Sequence, residues 1–383
     1  MGGGYPQPFN PPANQTFGPG GQYIVYPNEF PTPYVLSWTA SIQHQIPHNW
    51  QMQINYLGNK STHMPYGHPL SQIVYIPGNW TGAGSCTSAY GPLLISPGTG
   101  KSCSSTGNSQ NRAMLTLLNP TQGPYYLGGG GGGASTLMVA GSNASYNAMV
   151  ASIQHRASAS FTFLANMTWS HCIALLDNPG AFNTVAVQNP NNIKADYGAC
   201  GFDRREIFNA AMVATSHFTR LEGWKNWLVN NWELAPLIRA TSGAPFNVTT
   251  GLDNSLTAIG NDRPNYLGGN IFIHAHPNSS TGGITNPNTL DVTRFAANPL
   301  GTYGNSPRNG WYGPKYFNID STLSRAFPIH ERLMMALRLE AFNVFNHPNF
   351  GNPAASVNSP TTFGRISSAQ APRIFQGAVK FTF

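Results

Sequence analysis

Charge is the first scarcity. Of 383 residues only 20 are Lys or Arg and 13 are Asp or Glu, 9% together, against the roughly 25% usual for a soluble globular domain. Long apolar runs are lacking as well: no stretch of about 18 or more apolar residues occurs, which excludes a membrane-spanning helix. The first residues, Met1 to Pro8, have neither the basic nor the apolar region of a secretory leader. Helix-friendly composition is thin too, because 41 Gly and 31 Pro interrupt helices and feed turns, arguing against a helical or doubly wound α/β protein.

Aromatic residues are plentiful at 12%, and so many rings need somewhere to pack, which argues against disorder. The net charge is +7, yet its basic residues are scattered. The densest group is Arg204-Arg205, flanked by Asp203 and Glu206. A nucleic-acid binder would gather such charge into a stripe, so no nucleic-acid partner is expected.

Period-two alternation supplies the positive signal, since a strand with one apolar and one polar face alternates in this way. In Tyr34–Ile46 one side carries Tyr34, Leu36, Trp38, Ala40, Ile42 and Ile46, and the other Ser37, Thr39, Ser41, Gln43 and Gln45. After Pro47-His48, residues 49–58 set Trp50, Met52, Ile54 and Tyr56 against Gln51, Gln53 and Asn55. The grammar recurs in 145–155 with 160–170, in 206–218 with 227–241 across Thr219–Asn226, in 315–327 with 332–345 across Pro328–Glu331, and in a last strand over 373–383.

The connections alternate strictly. Short ones join the two strands of each pair, and long ones cover 59–144, 171–205, 242–314 and 346–372. Long loops confined to one end predict an all-β, antiparallel transmembrane β-barrel with short periplasmic turns and long extracellular loops. About nine strands are present, so the barrel is partial, and strands of about 10 to 14 residues suit a tilted crossing. Residues 1–30 read as an irregular Gly/Pro-rich lead-in and 31–383 as barrel.

Several residue-level expectations follow. Arg338, Glu340 and Lys380 fall on the polar side and would face the lumen, with Arg338 and Glu340 in a wall-side ion-pair network. Leu333, Met335, Leu337 and Leu339 would face lipid. Tyr34, Trp50, Trp169, Phe345 and Phe381 lie near strand ends, where interfacial girdles sit. The cysteines form two local pairs, Cys86 with Cys103 and Cys172 with Cys200, and all four are placed in long loops. Their spacings fit no zinc knuckle, and two loop disulfides in an oxidising compartment are the reading. Four unrelated thiols are the alternative.

Further blocks carry a resemblance. Phe342–Pro353, Phe363–Ile366 and the Phe-terminated last strand, together with Leu36–Gln43, Tyr56–His63, Asp203–Arg205, Ser242–Phe246 and Gly260–Asn265, resemble the C-terminal end of TonB-dependent receptors, and more narrowly the Oar-like branch. The resemblance implies a roughly 22-stranded outer-membrane barrel with an N-terminal plug and a TonB-contacting box, importing scarce, bulky ligands with inner-membrane energy. With about nine strands and no recognisable plug, box or leader, the chain reads as the C-terminal part of such a receptor. Phe375, Gly377, Val379, Phe381 and Phe383 resemble the signal read by the barrel-assembly machinery. The expected location is the Gram-negative outer membrane with a periplasmic C-terminus. The expected partners are membrane lipids, the assembly machinery, the TonB complex through the missing plug region, and an unknown ligand.

Nothing in the sequence points to an enzyme or a cofactor. There is no GxSxG, HExxH or Walker loop, and the run Gly128–Gly133 lacks the Lys-Ser/Thr and helix of a phosphate loop. His274 and His276 are spaced to share a strand face as metal ligands, but no carboxylate or cysteine stands beside them. Asp253-Asn254 and Asn261-Asp262 offer oxygen ligands without calcium-loop spacing; Asx turns, or pairing of the acids with Arg263, are the plainer readings. Asp203-Arg204-Arg205 suggests charge pairing at the rim, with contact to an acidic ligand as the sharper alternative. Tyr125-Tyr126 and Trp311-Tyr312 could stack on sugars or pack loops. Three functions are weighed: energy-coupled transport first, surface display or adhesion second, and a secreted carbohydrate-active enzyme last, because 13 scattered acids offer no evident carboxylate pair.

Overall fold

The computed structural model describes residues 23–121, 135–158, 160–177, 187–220, 222–258, 260, 262–273, 289–330 and 333–383. Nine long strands build one antiparallel wall: β1 Tyr34–Ile46, β2 Trp50–Pro69, β3 Ser135–Ser158, β4 Phe161–Ala174, β5 Glu206–Thr215, β6 Trp232–Thr241, β7 Tyr316–His330, β8 Leu333–Phe342 and β9 Ile374–Thr382. Each pairs only with its neighbours in the chain, and β1 and β9 are the free edges of an open sheet. Two short strands extend it, Tyr23–Val25 parallel to β3 and Gly198–Ala199 on β4.

The register makes one face apolar. Ile42 opposes Ile54, Ile54 opposes Ala151, Ala151 opposes Met167, and Met167 opposes Phe208. A second apolar row runs from Phe161 through Ala214, Leu234, Leu323 and Leu339 to Gly377. A one-residue slip in any pair would carry its apolar set to the other face, so the pattern locks the register. Gly58 has a visible reason. It pairs with Trp38, whose indole lies over it so closely that an added Cβ would fall 2.1 Å from the ring nitrogen.

Short hairpins close one end of the wall. Between β1 and β2, His48 and Asn49 take left-handed backbone with φ of 65° and 62°, the conformation that matches a tight turn to strand twist. The connection from β5 to β6 is fuller than an eight-residue turn. It holds a short helix, α2, Gly223–Val229, which the expected strand start at 227 had missed.

At the other end β2 and β3 outrun their expected limits. They have 20 and 24 residues, whereas about 9–11 suffice for a tilted crossing. Their paired continuation reaches Pro69 opposite Thr136. Within it Tyr66, Met138 and Thr136 are buried. Loops cover both faces of this arm, so the alternation expected of a half-exposed strand stops there.

The buried apolar residues lie mainly in the long connections, not in the wall. Ile76, Trp80, Leu93 and Leu117, the last in α1 Met114–Leu118, surround Cys86 and Cys103 in one cluster. Phe246, Val248, Ile271, Leu290, Phe295 and Phe363 form another, drawn from the last two long loops. Tyr66, Leu175 and Val187 join the arm to the second loop. The wall strands leave much apolar surface uncovered, including Ile42, Leu234, Leu339 and Val379.

Candidate functional site: a loop cap above a polar wall

Behind the apolar face lies its opposite. At one level Gln43, Gln53, Ser152, Asn166, Asn209, Arg239 and Asn318 oppose one another strand by strand, a polar row across seven strands. Asn209 donates to Asn166 at 3.2 Å, and Ser41 donates to Asn55 at 2.7 Å on the same face. Further along, Thr322 opposes Glu340, and Glu340 opposes Gln376. Arg338 and Glu340 form an ion pair of 2.5 Å; standing two apart on one strand, they share this face. Lys380, opposite Ala336, shares it too. Among the described residues Arg338 and Glu340 form one ion pair, with Lys380 on the neighbouring strand.

Over this wall the long loops interlock into a cap, held largely by arginines. The buried Arg112 donates to Val74, Ser105 and Leu256 carbonyls and to Asn108, tying the first loop to the third. Burial lowers this guanidinium to about 10, with the Asp253 charge opposing the shift. Arg263 pairs with the buried Asp196, while its own N–H donates to Gln188. Arg308 reaches Asp177 at 2.7 Å and the Ala174 carbonyl at 2.8 Å. Asp177 is itself exposed to water, but leaving the buried Asp196 without Arg263 would strand a desolvated carboxylate. Three of the few basic residues thus knit the cap, and no sequence period marks them.

The structure joins Cys86 to Cys103 and Cys172 to Cys200, with Cα separations of 5.5 and 5.4 Å. One placement changes: Cys172 lies in β4, so the second bridge fastens a loop to the wall itself. Asp203 turns out to be a hub. Its carboxylate accepts from the Cys172 N–H at 2.9 Å, from the Tyr312 hydroxyl at 2.8 Å, and lies 3.1 Å from His171 Nδ1. Arg204 donates to the Asp203 carbonyl, and the Arg205 carbonyl accepts from Ser170. The Asp203 and Arg204 side chains are thus engaged within the rim, and Ser170 holds the Arg205 backbone there.

Asp253 and Asp262 do not pair with Arg263, which has taken Asp196 instead. Asp253 accepts from Thr257 and Ala258 N–H groups, and Asp262 from the N–H and hydroxyl of Ser255. Both acids therefore hold the loop by accepting from its own N–H and hydroxyl groups, at separations longer than the two residues of an Asx turn. Burial raises the Asp262 pKa, opposed chiefly by the Ser255 hydrogen bonds. Among the described residues no group of three His, Cys, Asp or Glu side chains is placed to hold a metal. His274, His276, Asn261, Tyr125, Tyr126 and Gly128–Gly133 lie outside the described residues.

Trp311 is not a free stacking platform. It packs edge-on against Tyr266 and Phe295 at centroid distances of 5.5 and 5.4 Å within the loop core. Its neighbour Tyr312 lines a cleft of about 380 Å³ between the last two long loops, with Phe272, Pro314, Lys315, Pro353 and Ile366. Burial first, then the Asp203 carboxylate, pushes the Tyr312 phenol up to about 12. Its O–H therefore stays a donor at neutral pH. Among the described residues Lys315 is the one charged side chain lining the cleft, with Thr289 and Tyr312 its hydroxyls, and the Tyr312 proton is already given to Asp203. Phe345, expected in a girdle, is exposed beyond the end of β8.

A meander of spans with one apolar and one polar face, short turns at one end and a folded cap at the other, defines a transmembrane β-barrel wall. A family model for the outer membrane beta barrel domain matches residues 1–376; the chain belongs to that family. Its place is accordingly the outer membrane. No curated protein matches the chain. Among solved structures, the outer membrane transporter YddB from Escherichia coli aligns at 9% identity and a TM-score of 0.46, over 95% of this chain and 34% of that one. The copper transporter OprC aligns at 7% identity and a TM-score of 0.34, over 94% and 33%. The chain spans about a third of the length of each.

Proposed function

We propose that this chain supplies wall and cap to a TonB-dependent receptor of the Oar-like kind, with the cap outside the cell and the end of β9 in the periplasm. The observation that carries the reading is the polar row from Gln43 to Asn318 beneath a folded cap. A ligand would be captured between the loops and would pass along the amide and hydroxyl groups of the wall, which exchange hydrogen bonds with it as water does. No covalent step, cofactor or enzyme activity is part of the proposal. The energy would reach the barrel from TonB through a plug carried on another segment, and the barrel-assembly machinery would read the strand ending Phe381-Thr382-Phe383.

The test uses the full-length protein. Outer-membrane fractionation and heat-modifiable migration are expected, together with cross-linking to the periplasmic domain of TonB. A protein that inserts normally but never meets TonB overturns transport. That second outcome is the one surface display requires. Display has its own support in the rigidity of the cap, where Arg112, Arg263 and Arg308 join loops distant in the chain.

A further inference from the structure

The apolar face carries one buried charge where lipid would be expected. Arg325 pairs with Trp232 on β6 and with Leu337 on β8, so it belongs to the row that continues Leu323 and Leu339. It is only 4% exposed. Three rings enclose its guanidinium, with centroids at 5.3 Å for Trp227, 5.4 Å for Trp232 and 4.5 Å for Phe327. Its Nη1 donates to the Leu228 carbonyl at 2.7 Å, and Trp232 Nε1 donates to the same oxygen at 2.9 Å. Leu228 lies in the last turn of α2, so a cation meets the negative end of the helix. Both donors stand on the apolar face, and they pull the C-terminal turn of α2 over that face at the short-turn end.

The helix is held from its other side too. Asn230 accepts from the Phe218 N–H and donates to the Phe218 carbonyl, and Ser216 donates to the Val229 carbonyl. This connection is therefore a built element. Nevertheless it leaves its own apolar stripe uncovered. Trp224, Trp227 and Leu228, at the i, i+3, i+4 spacing of one helix face, are 70%, 60% and 49% exposed. Beside them stand Arg220, Lys225 and Glu222, two cations and one acid.

We infer that α2 is an interfacial anchor that seats Trp224, Trp227 and Leu228 in phospholipid at the short-turn rim of the barrel. Three observations choose lipid as the occupant. The stripe is continuous, through Trp227 and Phe327, with the wall's lipid-facing side. A second ring cluster on the same face and at the same end, Trp50 with His155 and Phe163, marks the level of the interface. The surplus of cations beside the stripe suits phospholipid phosphates, and indole rings favour that boundary. Arg325 is a positioning residue here, since its charge is occupied by the rings and by the Leu228 carbonyl.

The test places the full-length protein in vesicles of phosphatidylethanolamine and phosphatidylglycerol, made with ordinary or brominated acyl chains. The fluorescence difference between the wild type and Trp224→Ser isolates Trp224. The expected difference spectrum is blue-shifted, quenched by the brominated chains and untouched by aqueous iodide. A red-shifted difference quenched by iodide and indifferent to bromine overturns the anchor and leaves α2 facing water or a soluble partner. Heat-modifiable migration of each variant shows that the barrel has folded. Should Trp224→Ser fail that check, a polarity-sensitive label on Lys225→Cys reads the same two outcomes, because the native cysteines are all in disulfides.

Discussion

Asp203 and Tyr312 meet across 109 residues of chain, the phenol donating to the carboxylate at 2.8 Å. The contact fastens the third long loop to the place where the second one enters β5. Tyr312→Phe is expected to cost the cap about 1–2 kcal/mol, the low end for a bond to a charged group, because Asp203 keeps its other donors.

The same contact predicts an alkaline signature. The folded Tyr312 has its pKa raised from 10.0 to about 12, so it holds its proton where an unfolded tyrosine has begun to lose it. Its contribution to stability is complete below pH 10 and disappears as pH rises through about 12. An ultraviolet phenolate titration of wild type minus Tyr312→Phe should show one late-ionising tyrosine, and Asp203→Asn should bring it earlier. A difference curve centred near 10 would refute the assignment.

The bridge between Cys86 and Cys103 closes a separation of 17 residues around Trp80 and Leu93. Replacing both cysteines by serine should lower the local stability of this cluster by about 3 kcal/mol, the loop-closure value for that length. Hydrogen exchange should quicken over residues 73–117 and remain unchanged in the wall, which shares little of this core. Uniform acceleration would show instead that the cap and wall unfold together.

The last strand invites a separate experiment. Phe383 is 97% exposed and β9 is paired on one edge only, so its aromatic row is free to be read by another protein. Phe383→Ser should reduce outer-membrane yield in cells several-fold while refolding in detergent proceeds as before. Equal loss in both settings would assign Phe383 to stability and not to recognition.

What the sequence made legible follows from where each strand sits. The nine spans could be seen because lipid on one side and polar contacts on the other enforce a period of two, as at Ile42 against Gln43 or Leu339 against Glu340. Beyond Gly58 the signal fails because the arm buries Tyr66, Met138 and Thr136 under loops. The cap core escaped because Phe246, Ile271, Leu290 and Phe363 come from irregular chain with no shared period. Helix α2, only seven residues long, is too short to show one, although Trp224 and Trp227 stand three apart. The cleft is half visible: Tyr312 stands out as an aromatic and Ile366 as part of a resemblance block, but no spacing brings them together with Lys315.

The order of pairing in the wall has a consequence for assembly. Within the wall each of the nine long strands bonds only to the long strands before and after it, so the wall can grow by hairpin addition. The cap's bonds also span long stretches of chain, 144 residues from Arg112 to Leu256 and 134 from Arg308 to Ala174, and they rest on loop ends that the wall must first position. Closing such distances before their anchors are fixed costs entropy with no local reward. The expected history is a wall that zips first and a cap that condenses later onto strand ends already in place. Pulse-labelled exchange during refolding would record early protection in β7 to β9 and late protection around Arg112; simultaneous protection would contradict it. The part of the molecule that stands outside the membrane-spanning wall would then be the last to acquire its shape.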